Sequence, residues 1–367
     1  MCEQIKDQLE FPSDRNQSLS PMNQLLVALR YYATGTFQLV VGDTFAINKS
    51  TVCRVLHHVT RSIASLRDKY VKFPMTQQQQ HDTMKLFYSN SKLPGVVGAI
   101  DCTHVTIQSP GGDDAEIYRN RKGYFSLNVQ LVCDSTSYIT DIVCRWPGSV
   151  HDSTIFDNSH VHAMFESGQV EGCLVGDGGY ACRRYMLTPV SNPQTASEVA
   201  YNNAQSKARN CIERTNGILK RRFPALKYCM RLRLDHSMAV IVATVVLHNI
   251  AMMIGDDELP VEDTELAAYV TTRHLEALND AGPAQPPPTA NRPGADAVRR
   301  AVIANYFWQL SARAHTYTHI GWHSLASRWL LTDRQSSVYI SHSVPLCIPH
   351  SLITFVLSVW LHVVSDY

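Results

Sequence analysis

The ten cysteines of this 367-residue chain never fall into a Cys-x-x-Cys pair, and no Cys/His cluster stands at zinc-finger spacing. That excludes a finger-type metal fold and a dense disulfide framework; scattered thiols read as small hydrophobes in a reducing compartment. A dominant charge is lacking too. Lysine plus arginine number 33 against 32 aspartate plus glutamate, a net +1, so bulk charge names no partner. Internal repeats are absent, which excludes a solenoid. Long hydrophobic runs are few. The stretch 238–254 is interrupted by Thr244, His248 and Asn249 and reads as a buried core helix. Residues 351–364 are too few for a membrane span. The opening Met1-Cys2-Glu3-Gln4 is polar, with no signal-peptide pattern. No membrane association is expected. What remains, 45% hydrophobic and 18% charged, suits a globular chain with two or three domains.

The first third reads as helices. Leu25, Leu26, Leu29 and Tyr32 form one stripe, stopped near Gly35. Thr36 is placed to cap a short helix to Val41, followed by a turn over 42–48. A helix then carries Val52, Val55, Leu56, Val59 and Ile63 inward. This is a helix-turn-helix layout over 21–75, with Ser50, Thr51 and Arg54 offered to DNA from the second helix. The Gln77-Gln80 tract reads as a spacer.

Beyond residue 93 the pattern changes. Strands are expected at 96–107, 124–133 and 138–146, with Asp134-Ser135-Thr136-Ser137 as a hairpin turn. Next come a short helix over 150–158 opened by Ser149, strands at 173–177 and 185–190, and a basic helix over 202–223. Three strands, a helix, a strand and a helix predict an α/β fold, a ribonuclease-H-like mixed sheet flanked by helices, over 93–255. Helical completion extends to about 307, with a last helix at 296–307. In that order the first and fourth strands are neighbours. Residues 278–294 are a Pro-rich linker, and 308–367 form a tail of unknown structure.

Three acids stand out. Asp101 interrupts the apolar run Val96-Val97-Gly98-Ala99-Ile100, where an unpaired carboxylate is costly unless a cation or hydrogen bonds meet it. Asp177 ends Cys173-Leu174-Val175-Gly176 and turns into Gly178-Gly179-Tyr180. Glu213 is the one acid between Ala200 and Leu234, among nine lysines and arginines. Oxygen ligands on a strand, a strand end and a helix suit divalent Mg²⁺ or Mn²⁺, and a metal pair suits phosphodiester hydrolysis. Arg209 and Lys220 share the face of Glu213 and are candidates for phosphate contact or for orienting it. Asp152 is a candidate fourth acid, although the Ser149-Asp152 pair also reads as a helix cap. Arg121 and Lys122 lie in a basic loop able to track a DNA strand. His248 and Asn249 read as buried hydrogen-bonding groups.

Several collinear blocks resemble the PIF/Harbinger-type DDE transposases and the nucleases derived from them. They are Gly98-Ala99-Ile100-Asp101-Cys102-Thr103-His104-Val105, Asn120-Arg121-Lys122-Gly123-Tyr124, Trp146-Pro147-Gly148-Ser149-Val150-His151-Asp152-Ser153, Gly176-Asp177-Gly178-Gly179-Tyr180 and Leu187-Thr188-Pro189. The resemblance spans roughly 25–307. It implies a DDE fold with Asp101, Asp177 and Glu213 as metal-binding triad, a DNA substrate, and a Myb-like DNA-binding protein as partner. The chain is also similar to bacterial insertion-sequence transposases whose glutamate helix reads Tyr-x2-Arg-x3-Glu-x6-Lys; Arg209, Glu213 and Lys220 match, and Ser206 replaces the tyrosine. The expected function is a metal-dependent DNA nuclease. The alternative is a catalytically silent, domesticated DNA-binding or scaffold protein. A DNA substrate and the basic run Lys220-Arg221-Arg222 point to the nucleus, with the cytoplasm as a second compartment.

Overall fold

The computed structural model describes residues 1–11, 18–256 and 296–308. The linker expected at 278–294 and the tail at 309–367 lie outside the described residues.

Six helices come first. They are α1 (Cys2–Leu9), α2 (Pro21–Thr34), α3 (Gln38–Phe45), α4 (Lys49–Ala64), α5 (Arg67–Tyr70) and α6 (Gln77–Ser91). Ser20 caps α2 by accepting from the Asn23 N–H, Pro21 fills its first position, and Gly35 ends it in the left-handed region at φ 62°. On α2, Leu25 is buried, while Leu26 and Leu29 are half-exposed; Val27, Ala28 and Tyr31 complete the inner face instead. The short helix starts at Phe37, its N-cap, and runs to Phe45, beyond the span expected from a Thr36 cap. The glutamine tract proves helical. Thr76 and Gln79 form a capping box that starts α6, and that local signal outweighs the low-complexity look of the run.

Three consecutive strands follow, β1 (Val96–Thr106), β2 (Ser126–Cys133) and β3 (Ile139–Pro147). Asp134 closes the β2–β3 hairpin as expected, its carboxylate accepting from the N–H groups of Thr136 and Tyr138. The chain continues through α7 (Asp152–Asp157), α8 (His160–Glu166), β4 (Cys173–Val175), β5 (Met186–Leu187), α9 (Ala196–Arg222), α10 (Leu234–Met253) and α11 (Ala297–Val302). The sheet order is β3-β2-β1-β4-β5, antiparallel across the first three strands and parallel from β1 to β5. This five-stranded mixed sheet flanked by helices accords with a DDE nuclease fold, and β1 does lie beside β4. The last two strands are shorter than expected, and Asp177 falls past the end of β4.

Two cores sandwich the sheet. Val97, Ile100, Val132 and Leu174 meet Phe156, Met164 and Phe165 of α7 and α8 on one face. Ala99, Val129, Leu131 and Cys133 meet Ala208, Cys211 and Ile212 of α9 on the other, within the large core that includes α10 and the N-terminal helices. α10 is the one helix among the described residues long and apolar enough to cross a membrane, yet 61% of its most apolar window is buried in the protein. Asn249 in α10 shows why: it accepts from the Ile139 N–H and donates to the carbonyls of Ile139 and Tyr70. His248 is bonded to the Ser137 carbonyl at 2.9 Å. Arg299 of α11 donates to the Thr188 and Pro189 carbonyls, just past β5.

Candidate active site

Side chains alternate along β1. Ala99 and Asp101 turn toward α9, while Ile100 and Cys102 turn toward α7 and α8. Ala99 pairs with Val175 in the parallel β1–β4 ladder; two residues further on, Asp101 in the middle of β1 stands beside Asp177, just past the end of β4. The Asp177 carboxylate accepts from the Gly179 N–H at 2.9 Å. A Cβ at position 179 would approach that carboxylate at 3.1 Å, so glycine keeps its surroundings open.

Ser149 is not the cap of α7. The N-cap is His151, and no side chain accepts from the first turn. Asp152 instead accepts from the buried Asn128 side chain at 2.9 Å, which turns it toward the sheet end. Burial, then the charges of Asp177 and Asp152, push the Asp101 carboxyl up to about 7. Burial raises Asp152 as well, with the Asn128 hydrogen bond opposing. Three aspartates therefore act on one another where β4 ends beside the middle of β1.

α9 supplies the opposing wall. Thr195 and Glu198 form a capping box at its start, six residues before the expected boundary. Arg209, Glu213, Asn216 and Lys220 recur at four, three and four residues, one helical face. Asn216 donates to Asp101 at 3.1 Å. Arg209 pairs with Glu213 at 2.8 Å. Lys220 donates to the His104 carbonyl at 2.9 Å; burial brings its ammonium down to about 8, while Asp101 opposes that shift. Burial and the charges of Lys220, Lys122 and Arg121 lower His104 to about 4. The basic loop therefore borders the acids. Arg119, hydrogen-bonded to the Gly123 carbonyl, and Asn120, accepting from Lys122 N–H, hold that loop in shape, with Arg121 and Lys122 exposed.

Asp101, Asp177 and Glu213 do not close to ligand spacing as a threesome: among the described residues, one trio of His, Cys, Asp or Glu has ligand atoms within 4.8 Å of one another, and it lies elsewhere. Glu213 takes Arg209 as its counterion instead. The donor chemistry nevertheless fits a hard divalent cation. The oxygens are carboxylates whose mutual charge is unfavourable, and the buried Asn216 Oδ1 beside them has no hydrogen-bond partner. Sequence reasoning missed Asn216, Asn128 and the Cys102–Tyr180 contact at 3.4 Å. For Asn216 a signal existed, its i+3 spacing from Glu213.

Ser50, Thr51 and Arg54 stand on a different element from the acids. Ser50 and Arg54 are exposed at the start of α4, Thr51 half-buried, and Arg54 reaches the Ser50 carbonyl and Thr51 hydroxyl at 3.4 and 3.5 Å.

Residues 100–249, which hold all four acids, match the family model described as DDE superfamily endonuclease. Fold and site thus define a protein of the DDE endonuclease class. The chain is 32% identical over 289 residues to "Putative nuclease HARBI1" of Bos taurus, covering 76% of this chain and 82% of that protein. The Homo sapiens protein of the same name is 33% identical over 261 residues, covering 70% and 74%. "Protein ALP1-like" of Arabidopsis thaliana is 26% identical over 269 residues, covering 68% and 65%. The chain belongs to the harbinger transposase-derived nuclease family. No solved structure matches it.

Proposed function

We propose that this protein is a divalent-metal-dependent DNA nuclease in which Asp101, Asp177 and Glu213 hold Mg²⁺ or Mn²⁺, with Asp152 alongside. The observation that carries this reading is the gathering of acids around Asp101, half-buried in β1, where desolvation and the charges of Asp177 and Asp152 push its carboxyl up to about 7. Such a cluster is unfavourable for folding alone and favourable for cation capture. A metal pair supplies charge stabilisation at the phosphate and an activated water.

The chain's own groups do the rest. Asn216 fixes the plane of the Asp101 carboxylate from α9. Arg209 holds Glu213 at the cluster's edge until a cation competes for it. Lys220 anchors the backbone of β1 at His104 and adds positive charge beside the acids; it is the candidate phosphate contact with Arg209. Arg121 and Lys122, exposed on the bordering loop, track the DNA backbone. Ser50, Thr51 and Arg54 offer a separate duplex contact from α4. A DNA substrate supports action in the nucleus, alongside a Myb-like DNA-binding partner.

The deciding experiment is hydrolysis of a labelled duplex with Mg²⁺ or Mn²⁺. Cleavage that depends on metal and disappears in Asp101→Ala supports the nuclease. Duplex binding without cleavage in the unsubstituted protein returns the chain to a DNA-binding or scaffold role.

A further inference from the structure

Away from the acids, α4 and α10 bring three metal-ligating side chains together. His57 comes from the middle of α4, and Asp235 and His236 from the first turn of α10. One ligand atom from each lies within 4.8 Å of the other two. The Asp235 Oδ2 is 3.5 Å from the His236 Nε2. The imidazoles of His57 and His236 face each other with ring centroids 3.8 Å apart. The His57 Nε2 is buried and has no hydrogen-bond partner. Neither distance nor spacing in the sequence announces this trio, because 178 residues separate the helices' contributions.

Its surroundings are cationic. Arg61 and Arg233 approach Asp235 at 3.9 and 3.4 Å. A neutral imidazole keeps one ring nitrogen with a free lone pair, the form in which it ligates a metal. Two imidazole nitrogens and one carboxylate suit Zn²⁺ and its neighbours, whereas Mg²⁺ and Ca²⁺ prefer oxygen. The cleft beside these side chains is narrow and partly open to solvent, and Cys53, one turn before His57, lines it too. An ion therefore has a path in and a thiol within the same cleft.

We propose that His57, Asp235 and His236 form a second metal site, specific for Zn²⁺-class transition metals, that fastens α4 to α10. Water completes the coordination. Tetrahedral ligation spreads the two rings from their tilted approach at 3.8 Å between centroids. The site is independent of the acid cluster in place, donors and metal preference.

The test uses untagged, metal-stripped full-length protein titrated with Zn²⁺ alone and with Co²⁺ alone. Calorimetry reads stoichiometry and visible absorption reads the Co²⁺ geometry. The expected result is one tight Zn²⁺ per chain that survives Asp101→Ala. His57→Gln or His236→Gln weakens it by more than the roughly 10–100-fold that losing an outer-shell partner costs. Zn²⁺ should also raise the melting temperature of the unsubstituted protein and of Asp101→Ala, and not that of His57→Gln. If His57→Gln does not fold, Asp235→Asn, exposed on its helix, replaces it. Zn²⁺ affinity unchanged by these substitutions, or no Zn²⁺ bound by the unsubstituted protein, overturns the proposal. Neither result touches the Mg²⁺ cleavage assay.

Discussion

The side-chain amide of Asn216 donates to the Asp101 carboxylate at 3.1 Å, tying the C-terminal part of α9 to the middle of β1. An amide has two ends, and here the oxygen end is buried without a partner. The nitrogen holds the acid in orientation; the oxygen adds a neutral donor beside it.

Asn216→Ala should therefore weaken metal use rather than DNA binding. The Mg²⁺ concentration for half-maximal cleavage is expected to rise about 10–100-fold, with duplex affinity in the absence of metal unchanged. A metal titration of cleavage alongside a binding isotherm checks both halves. Equal loss of duplex affinity would assign Asn216 to the DNA surface instead.

Arg121 and Lys122 should contribute one phosphate contact each. Log affinity for duplex plotted against log salt is expected to flatten by about 0.9 for Arg121→Ala or for Lys122→Ala. An unchanged slope removes that residue from the interface.

Asn249 binds three backbone groups of β3 and α5 from a fully buried position. Asn249→Ala strands the Ile139 N–H and two carbonyls, and urea unfolding should show a loss of about 3 kcal/mol or more. A loss under about 1 kcal/mol would mean that water replaces the amide.

His248 is a pH-sensitive element of stability. Burial lowers its imidazole to about 4, against an ordinary value of 6.5. The unfolded chain therefore takes up a proton that the folded one refuses between those values. Its contribution is complete above pH 6.5 and is lost as pH falls toward 4, about 3 kcal/mol over the window. Asp141, raised to about 6 by burial, acts with the opposite sign over an overlapping range, so the measurement is a difference. The stability advantage of the unsubstituted protein over His248→Gln should shrink as pH drops from 6.5 to 4. A constant difference refutes the assignment.

Much of this was legible in the chain. A hairpin carboxylate and a left-handed glycine write their structure locally, and Asp134 and Gly35 were read so; the capping boxes at Thr76 and Thr195 are as local and were missed. An acid inside an apolar strand is equally plain, because its burial has to be compensated. Boundaries were less so. β5 is two residues long because an edge strand ends where its neighbour stops bonding, a fact set by β4 rather than by the residues of β5 itself. Asp152 and His57 show the deeper limit. What each one faces is decided by Asn128 and by His236, partners that only the folded topology delivers.

The 27 residues of α9 form a single unbroken helix from its Thr195 cap to Arg222. A residue inserted between its cap and Glu213 would rotate everything downstream by about 100°, swinging Glu213, Asn216 and Lys220 off the acids and exposing the stripe that seals the sheet. Reading frame within this helix is thus held by two demands at once, and drift in its length would cost the molecule its scaffold and its chemistry in the same stroke.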